Sequence, residues 1–257
     1  MKILFGGDVV GSRGCAFASQ SVRRIKQDEK IDAVIINGEN SADGNGITYE
    51  SMESLFTFAD VITTGNHCFR RQEFVNAYDE KSSLLRPANY PEGTAGSGMC
   101  IIDKGAYSVA VINLCGTAFM DALDNPFACA DRLIAQAETK NIIVDFHAEA
   151  TSEKKAMGFY LDGRVSAVIG THTHVQTADE IILPGGTAYI TDAGMCGTEL
   201  SVLGVDPQLA ITKQKYKTPV RFTEAEGKQI FCGVIIEINE KTGTAVSLKR
   251  IQIRESR

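Results

Sequence analysis

Short runs of aliphatic and β-branched residues recur through the first two-thirds of the chain, and segments of helical periodicity separate them. Ile3 to Phe5, Ala33 to Ile36, Val61 to Thr64, Ile142 to Val144 and Val165 to Ile169 have the length and composition of buried strands. Between them, Cys15 to Lys26 sets Phe17, Val22 and Ile25 on one helical face, and Tyr49 to Ala59 does the same with Met52, Leu55, Phe56 and Ala59. Asn125-Pro126 opens a further helix running to about Lys140, with Asn as N-cap and Pro at the first helical position. Ser152 to Leu161 forms a shorter helix that Asp162-Gly163 ends. This alternation predicts βα units and hence parallel pairing.

Three hairpins are also predicted. Met99 to Ile102 and Ser108 to Leu114 flank Lys104-Gly105; Glu180 to Leu183 and Thr187 to Thr191 flank Pro184-Gly185-Gly186; Ile230 to Ile238 and Ala245 to Ile253 flank Glu240 to Gly243. Helical units together with antiparallel hairpins point to an α/β fold, a four-layer αββα sandwich of two mixed β-sheets. Gly194 to Lys228 has weak periodicity and is expected to be loop, with a short helix over Asp206 to Lys215 near the mouth of the site.

A chain of 257 residues, 44% of them hydrophobic, can bury one full core, so residues 1–257 are read as a single domain. The net charge of −6 comes from interspersed acids and bases without a basic stripe, which argues against an extended nucleic-acid groove. A small anion remains an allowed partner, because bound cations would attract it locally. The seven cysteines include no C-x-x-C pair and are read as reduced, mostly buried hydrophobes, with Cys68 expected to line the site beside His67. No charged leader and no apolar run long enough to span a bilayer is present, so a cytoplasmic protein without a membrane partner is expected; a homo-oligomer stays open.

Chemistry concentrates where the strands end. All four histidines follow an apolar run and stand beside a carboxylate, an amide or another histidine. In an open α/β sheet ligands gather at the carboxyl ends of strands, so Asp8, Glu39, Asn40, Asn66, His147, His172 and His174 can meet at one point. Oxygen and nitrogen donors without thiolate suit iron, manganese or zinc. Two ions about 3.5–4 Å apart need a shared ligand, for which Glu39 is the candidate. Asp8 and Asn40 would complete one ion's ligands, Asn66 and His147 the other's, each with one of the paired histidines. That pair is expected on an extended segment, where alternate side chains share a face. His67, adjacent to a ligand and turned from it, is left to protonate a leaving oxygen while a metal-bridging hydroxide attacks. Glu149, Thr151, Ser152, Glu153 and Lys154 are read as caps of the next helix or substrate contacts, and Arg70 and Arg71 as a solvated face from which one could meet a phosphate.

Gly7-Asp8-Val9-Val10-Gly11, Asn37-Gly38-Glu39-Asn40, Gly65-Asn66-His67, the block from Asp145 to Lys154 and the block from Gly170 to Asp179 resemble the signatures of the bacterial YmdB-like metallophosphoesterases, a branch of the calcineurin-like phosphoesterase superfamily. The resemblance runs nearly end to end, including Gly204-Val205 and Pro219 to Phe222. It implies a dimetal αββα sandwich, commonly iron-bearing, that hydrolyses phosphodiesters including 2′,3′-cyclic nucleotides. Val10 and Glu39 stand where most of the superfamily has His and Asp, which is the YmdB-like pattern, and Asn40 fills the missing ligand position. Cys68-Phe69-Arg70 departs from the aromatic and Asp that often follow Gly-Asn-His, a change that bears on substrate preference. Two other readings compete: a broader phosphomonoesterase or phosphodiesterase, and a regulatory protein that senses a nucleotide and contacts RNA-processing machinery. Retention of His67 favours catalysis over binding alone.

Overall fold

The computed structural model describes residues 1–256. In chain order the elements are β1 (Lys2–Gly6), β2 (Asp8–Val9), α1 (Gly11–Glu29), β3 (Ala33–Asn37), α2 (Tyr49–Phe56), β4 (Val61–Thr63), a single 3₁₀ turn (Gln72–Phe74) and α3 (Ala77–Glu80). They continue as β5 (Met99–Asp103), β6 (Ser108–Cys115), α4 (Pro126–Gln136), β7 (Ile142–His147), α5 (Thr151–Tyr160), β8 (Ala167–Thr171), β9 (Ile181–Ile182), β10 (Ala188–Ile190), β11 (Met195–Thr198), α6 (Pro207–Tyr216), β12 (Gln229–Ile238) and β13 (Ala245–Arg254).

The strands form two mixed sheets. One has the order β2-β11-β12-β1-β3-β4 with β13 also paired to β12, and the other has the order β5-β6-β7-β8-β10-β9. Parallel pairing links β1 to β3 and β3 to β4, and likewise β6 to β7, β7 to β8 and β8 to β10. The three expected hairpins supply antiparallel pairs β5–β6, β9–β10 and β12–β13.

Because side chains alternate along a strand, each sheet has two apolar faces to cover. Ile3, Phe5, Ala33, Ile35 and Val61 of the first sheet meet Val109, Val111, Ile143, Ala167 and Ile169 of the second, forming the central layer of the core. The alternate residues Leu4, Val34, Ile36 and Ile62 pack on Phe17, Val22 and Ile25 of α1 and Met52 and Leu55 of α2. On the far side, Ala110, Ile112, Leu114, Val144 and Phe146 pack on Cys129 and Ala130 of α4 and Met157 of α5. Helix, sheet, sheet, helix is the four-layer order the pattern predicts. Burying each such Leu, Ile or Val contributes roughly 1.5–3 kcal/mol.

Helix starts follow local chemistry. Asn125 accepts from the amides of Phe127 and Ala128, Asp206 from those of Gln208 and Leu209, and Thr48 and Ser51 form a capping box for α2. The ends differ from expectation by a few residues. Helix α1 begins at Gly11, so Gly14 lies inside it and serves packing rather than punctuation: a Cβ there would lie 2.5 Å from the carbonyl oxygen of Cys196 in β11. It ends at Lys30 in the left-handed conformation, φ 55°. Strand β11, inside the stretch expected to be loop, is too short to show a period, as is β2. Among the described residues no helix is long and apolar enough to cross a membrane.

Candidate metal centre and proton donor

The carboxyl ends of β1, β3, β4, β7 and β8 converge. Asp8 opens β2 directly after β1, the turn after β3 delivers Glu39 and Asn40, and the one after β4 delivers Asn66 and His67; β7 ends on His147, and His172 and His174 follow β8. All eight residues named from the sequence are brought together. Gly65 is part of the reason, since a side chain there would occupy the place of the His147 ring.

The centre is built around the Nε2 atom of His147, which lies 3.0 Å from Glu39 Oε1, 3.0 Å from Asn66 Oδ1 and 3.0 Å from His172 Nδ1. One ligand atom each from Glu39, His147 and His172 fall within 4.8 Å of one another. Beside them, His174 Nε2 is 3.2 Å from Asn40 Nδ2 and 3.6 Å from Asp8 Oδ1. Asp8, Glu39, Asn40 and His147 are buried.

Each of the three inward histidines has its other ring nitrogen tied to an acceptor. His147 Nδ1 is 2.9 Å from Thr171 Oγ1, whose own proton goes to Asp145 Oδ1 at 2.7 Å, so the hydroxyl accepts from the ring. Thr63 and Asn37 donate to the other oxygen of Asp145. His172 Nε2 meets Glu149 Oε2 at 3.0 Å, and His174 Nδ1 meets the carbonyl of Leu203 at 3.0 Å. Such contacts fix the ring and direct the lone pair of the opposite nitrogen, as they do at metal-bound histidines.

Charges are held in tension here. Burial works against the charged form of Asp8, but His174 and His147 overcome it and hold the carboxyl well below its usual range; Glu39 is lowered in the same way. Burial alone would depress His147, yet the charges of Glu39, Asp8 and Asp145 lift it to about 9. Burial pushes Asp145 up to about 6 against its three donors. Two neighbouring carboxylates and three preoriented imidazoles are a donor set that fits divalent cations.

His67 differs from the other three. Its amide donates to Glu39 Oε2 at 2.9 Å, and its Nδ1 lies 2.8 Å from Asn40 Oδ1, an acceptor, which leaves Nε2 as the titrating atom. The ring is half-buried on the wall of a cleft of about 840 Å³. Burial lowers its pKa, opposed by Glu39 and assisted by the charge of Arg70. Asn40 presents Nδ2 to Asp8, Glu39 and His174. For Asn40 to ligate through oxygen the amide must turn over, exchanging two atoms of nearly equal size.

Several expectations are corrected. His172 and His174 do not lie on an extended segment: both have left-handed backbones, φ 103° and 63°. A buried carboxylate holds that turn. Asp192 Oδ2 accepts from the amide and hydroxyl of Thr173, at 3.0 and 2.8 Å, and from Lys154 Nζ at 2.7 Å. Lys154 is therefore neither cap nor substrate contact. Glu153 tethers the amides of Thr117 and Ala118 instead of capping α5. Cys68 packs in the core behind the site, with burial pushing its thiol up to about 12. Arg71 is not a solvated residue; it binds Asp43 and the carbonyls of Ala42 and Asn45. The residues missed by sequence reasoning are Asp145, Thr171 and Asp192. Asp145 had a signal, since a polar residue two before His147 in a buried strand must share its face.

This arrangement of two mixed sheets is shared with solved structures of distant sequence. The structure superposes on a putative 5′-nucleotidase from Staphylococcus aureus with a TM-score of 0.60 at 16% identity, covering 100% of this chain and 55% of that one, a likeness of fold. At the level of family the match is direct: the model of the YmdB-like proteins matches residues 4–251, and the chain belongs to that family. A solved structure described as a novel phosphatase from Mycoplasma pneumoniae superposes with a TM-score of 0.94 at 33% identity, covering 99% of this chain and 93% of that one. A Bacillus subtilis relative, a 2′,3′-cyclic-nucleotide 2′-phosphodiesterase, is 51% identical over 258 residues, 99% of this chain and 98% of the relative.

Proposed function

We propose that the protein is a metal-dependent phosphodiesterase that opens 2′,3′-cyclic nucleotides at the 2′ oxygen. The observation that carries this is the set of three imidazoles, each tied at one nitrogen and aimed by the other at Glu39, Asp8 or a partner ligand. The activity printed for the Bacillus subtilis relative supports the choice of substrate.

Two cations fit the donors, with iron the first candidate and manganese or zinc compatible. Asp8, Asn40 and His174 would hold one, Asn66, His147 and His172 the other, and Glu39 would serve both; the short distances within each group support that division. Bound there, they supply Lewis-acid polarisation of the phosphoryl group and lower the pKa of the attacking water. In the reaction the water oxygen bonds to phosphorus, the bond from phosphorus to O2′ breaks, and His67 passes the proton at Nε2 to O2′. With the Asn40 amide turned over so that its oxygen faces the cation, its Nδ2 would donate to His67 Nδ1, which orients the ring and keeps the proton at Nε2. Without this proton a ribose alkoxide would have to leave, which is why a general acid matters here. We place the protein in the cytoplasm, as a single domain whose seven free cysteines suit a reducing compartment.

The test is elemental analysis of the purified protein coupled to a panel of 2′,3′-cyclic nucleotides, 3′,5′-cyclic nucleotides and bis-p-nitrophenyl phosphate. Metal-loaded protein should hydrolyse the 2′,3′-cyclic nucleotides with the highest kcat/KM and release the 3′-phosphate. Failure to turn them over when fully loaded would refute the reading.

A further inference from the structure

We propose that the cleft beside His67 holds a second phosphoryl group, the one on the 5′ side of the nucleoside, with Arg70 and Arg221 as its cations and Phe222 as a platform for the base. This rests on the phosphodiesterase reading and extends it to the substrate class: a cyclic nucleotide that carries a phosphate or phosphodiester at its 5′ oxygen.

The direction follows from His67. Its proton goes to O2′, so the ribose lies on the His67 side of the reacting phosphorus, and the base and 5′ carbon extend from there. On that side is the cleft of about 840 Å³ whose wall includes His67, Arg70, Arg71, Arg221 and Phe222. That size is within the range that encloses a whole small ligand. Of the three arginines, Arg71 is spent on Asp43 and two carbonyls. Arg70 and Arg221 are exposed, and among the described residues neither has an ion-pair partner, which leaves both guanidinium groups open to the cleft. Of the cleft's two carboxylates, Asp43 is paired with Arg71, while Glu224 lies against Gly11 without an ion-pair partner among the described residues. Free guanidinium groups on a chain of net charge −6 concentrate positive potential where a phosphate can use it. Phe222, 49% exposed and next to Arg221, offers an aromatic face of the kind on which bases stack without sequence preference.

The experiment compares three substrates: adenosine 2′,3′-cyclic phosphate, the same compound carrying a 5′-phosphate, and a diadenylate ending in a 2′,3′-cyclic phosphate. Both compounds with a 5′ phosphoryl group should show kcat/KM about tenfold above the first, with the gain in KM. A gain for the monoester alone assigns the site to a terminal phosphate, and a gain for both assigns it to a chain. Arg70→Ala and Arg221→Ala should each bring the ratio of kcat/KM between extended and simple substrate towards one, and Arg70→Lys should restore part of it. Equal kcat/KM for all three substrates in the wild type overturns the subsite alone. If the metal-loaded protein hydrolyses none of the three, the phosphodiesterase reading and the subsite fall together.

Discussion

A histidine can offer a lone pair or a proton at either ring nitrogen, and its neighbours decide which. His147, His172 and His174 each face an acceptor on one side, which turns the lone pair of the opposite nitrogen inward, where a cation could use it. His67 meets the side-chain amide of Asn40 through Nδ1 and opens on the cleft through the rest of its ring, an arrangement for moving a proton. His67→Ala should therefore keep its metal content, yet turn over 2′,3′-cyclic nucleotides about 10²–10⁴-fold more slowly. A p-nitrophenyl ester, whose leaving group scarcely needs the proton, should recover much of that loss. Metal content and turnover measured on one preparation separate the outcomes: loss of an ion would make His67 a ligand. The eight polar residues at strand ends were legible because they interrupt apolar runs. Asp145 left a weaker trace, a polar residue two before His147 in a buried strand, and Thr171 none, because its purpose shows only when β7 and β8 pair in register, His147 opposite Thr171.

Among the elements, those with local causes were legible. The cap at Asn125 and the three hairpins are written in neighbouring residues and stand where the pattern puts them, and the caps found at Thr48 and Asp206 are equally local. The turn that carries His172 and His174 has no local cause. Its left-handed residues are held by Asp192, 19 positions from Thr173, and by Lys154, 38 positions from Asp192, so no spacing rule reveals it. An ion pair this deeply buried does not guarantee stability, but removing one partner strands the other charge in the core. Lys154→Met should lower the unfolding free energy by about 3–5 kcal/mol in denaturant titrations, while the double variant Lys154→Met/Asp192→Asn should recover part of it. A loss below about 1 kcal/mol in Lys154→Met would mean that Asp192 is held by Thr173 and Gly194 alone.

At the scale of the molecule, the centre straddles the two sheets. The first contributes Asp8, Glu39, Asn40, Asn66 and His67, and the second His147, His172 and His174. The layer order was legible from the alternation of strands and helices, but the alignment of one sheet on the other depends on how Ile3, Phe5 and Ile35 interdigitate with Val109, Val111 and Ile169. A core of that size places the donors whether or not cations are bound. The most direct test of the account is the number of metal equivalents retained per chain after reconstitution and dialysis, in the wild type and in Glu39→Gln. The account predicts two equivalents for the wild type and loss of both in the variant, with the far-UV circular dichroism of each unchanged. One equivalent or none in the wild type would contradict it.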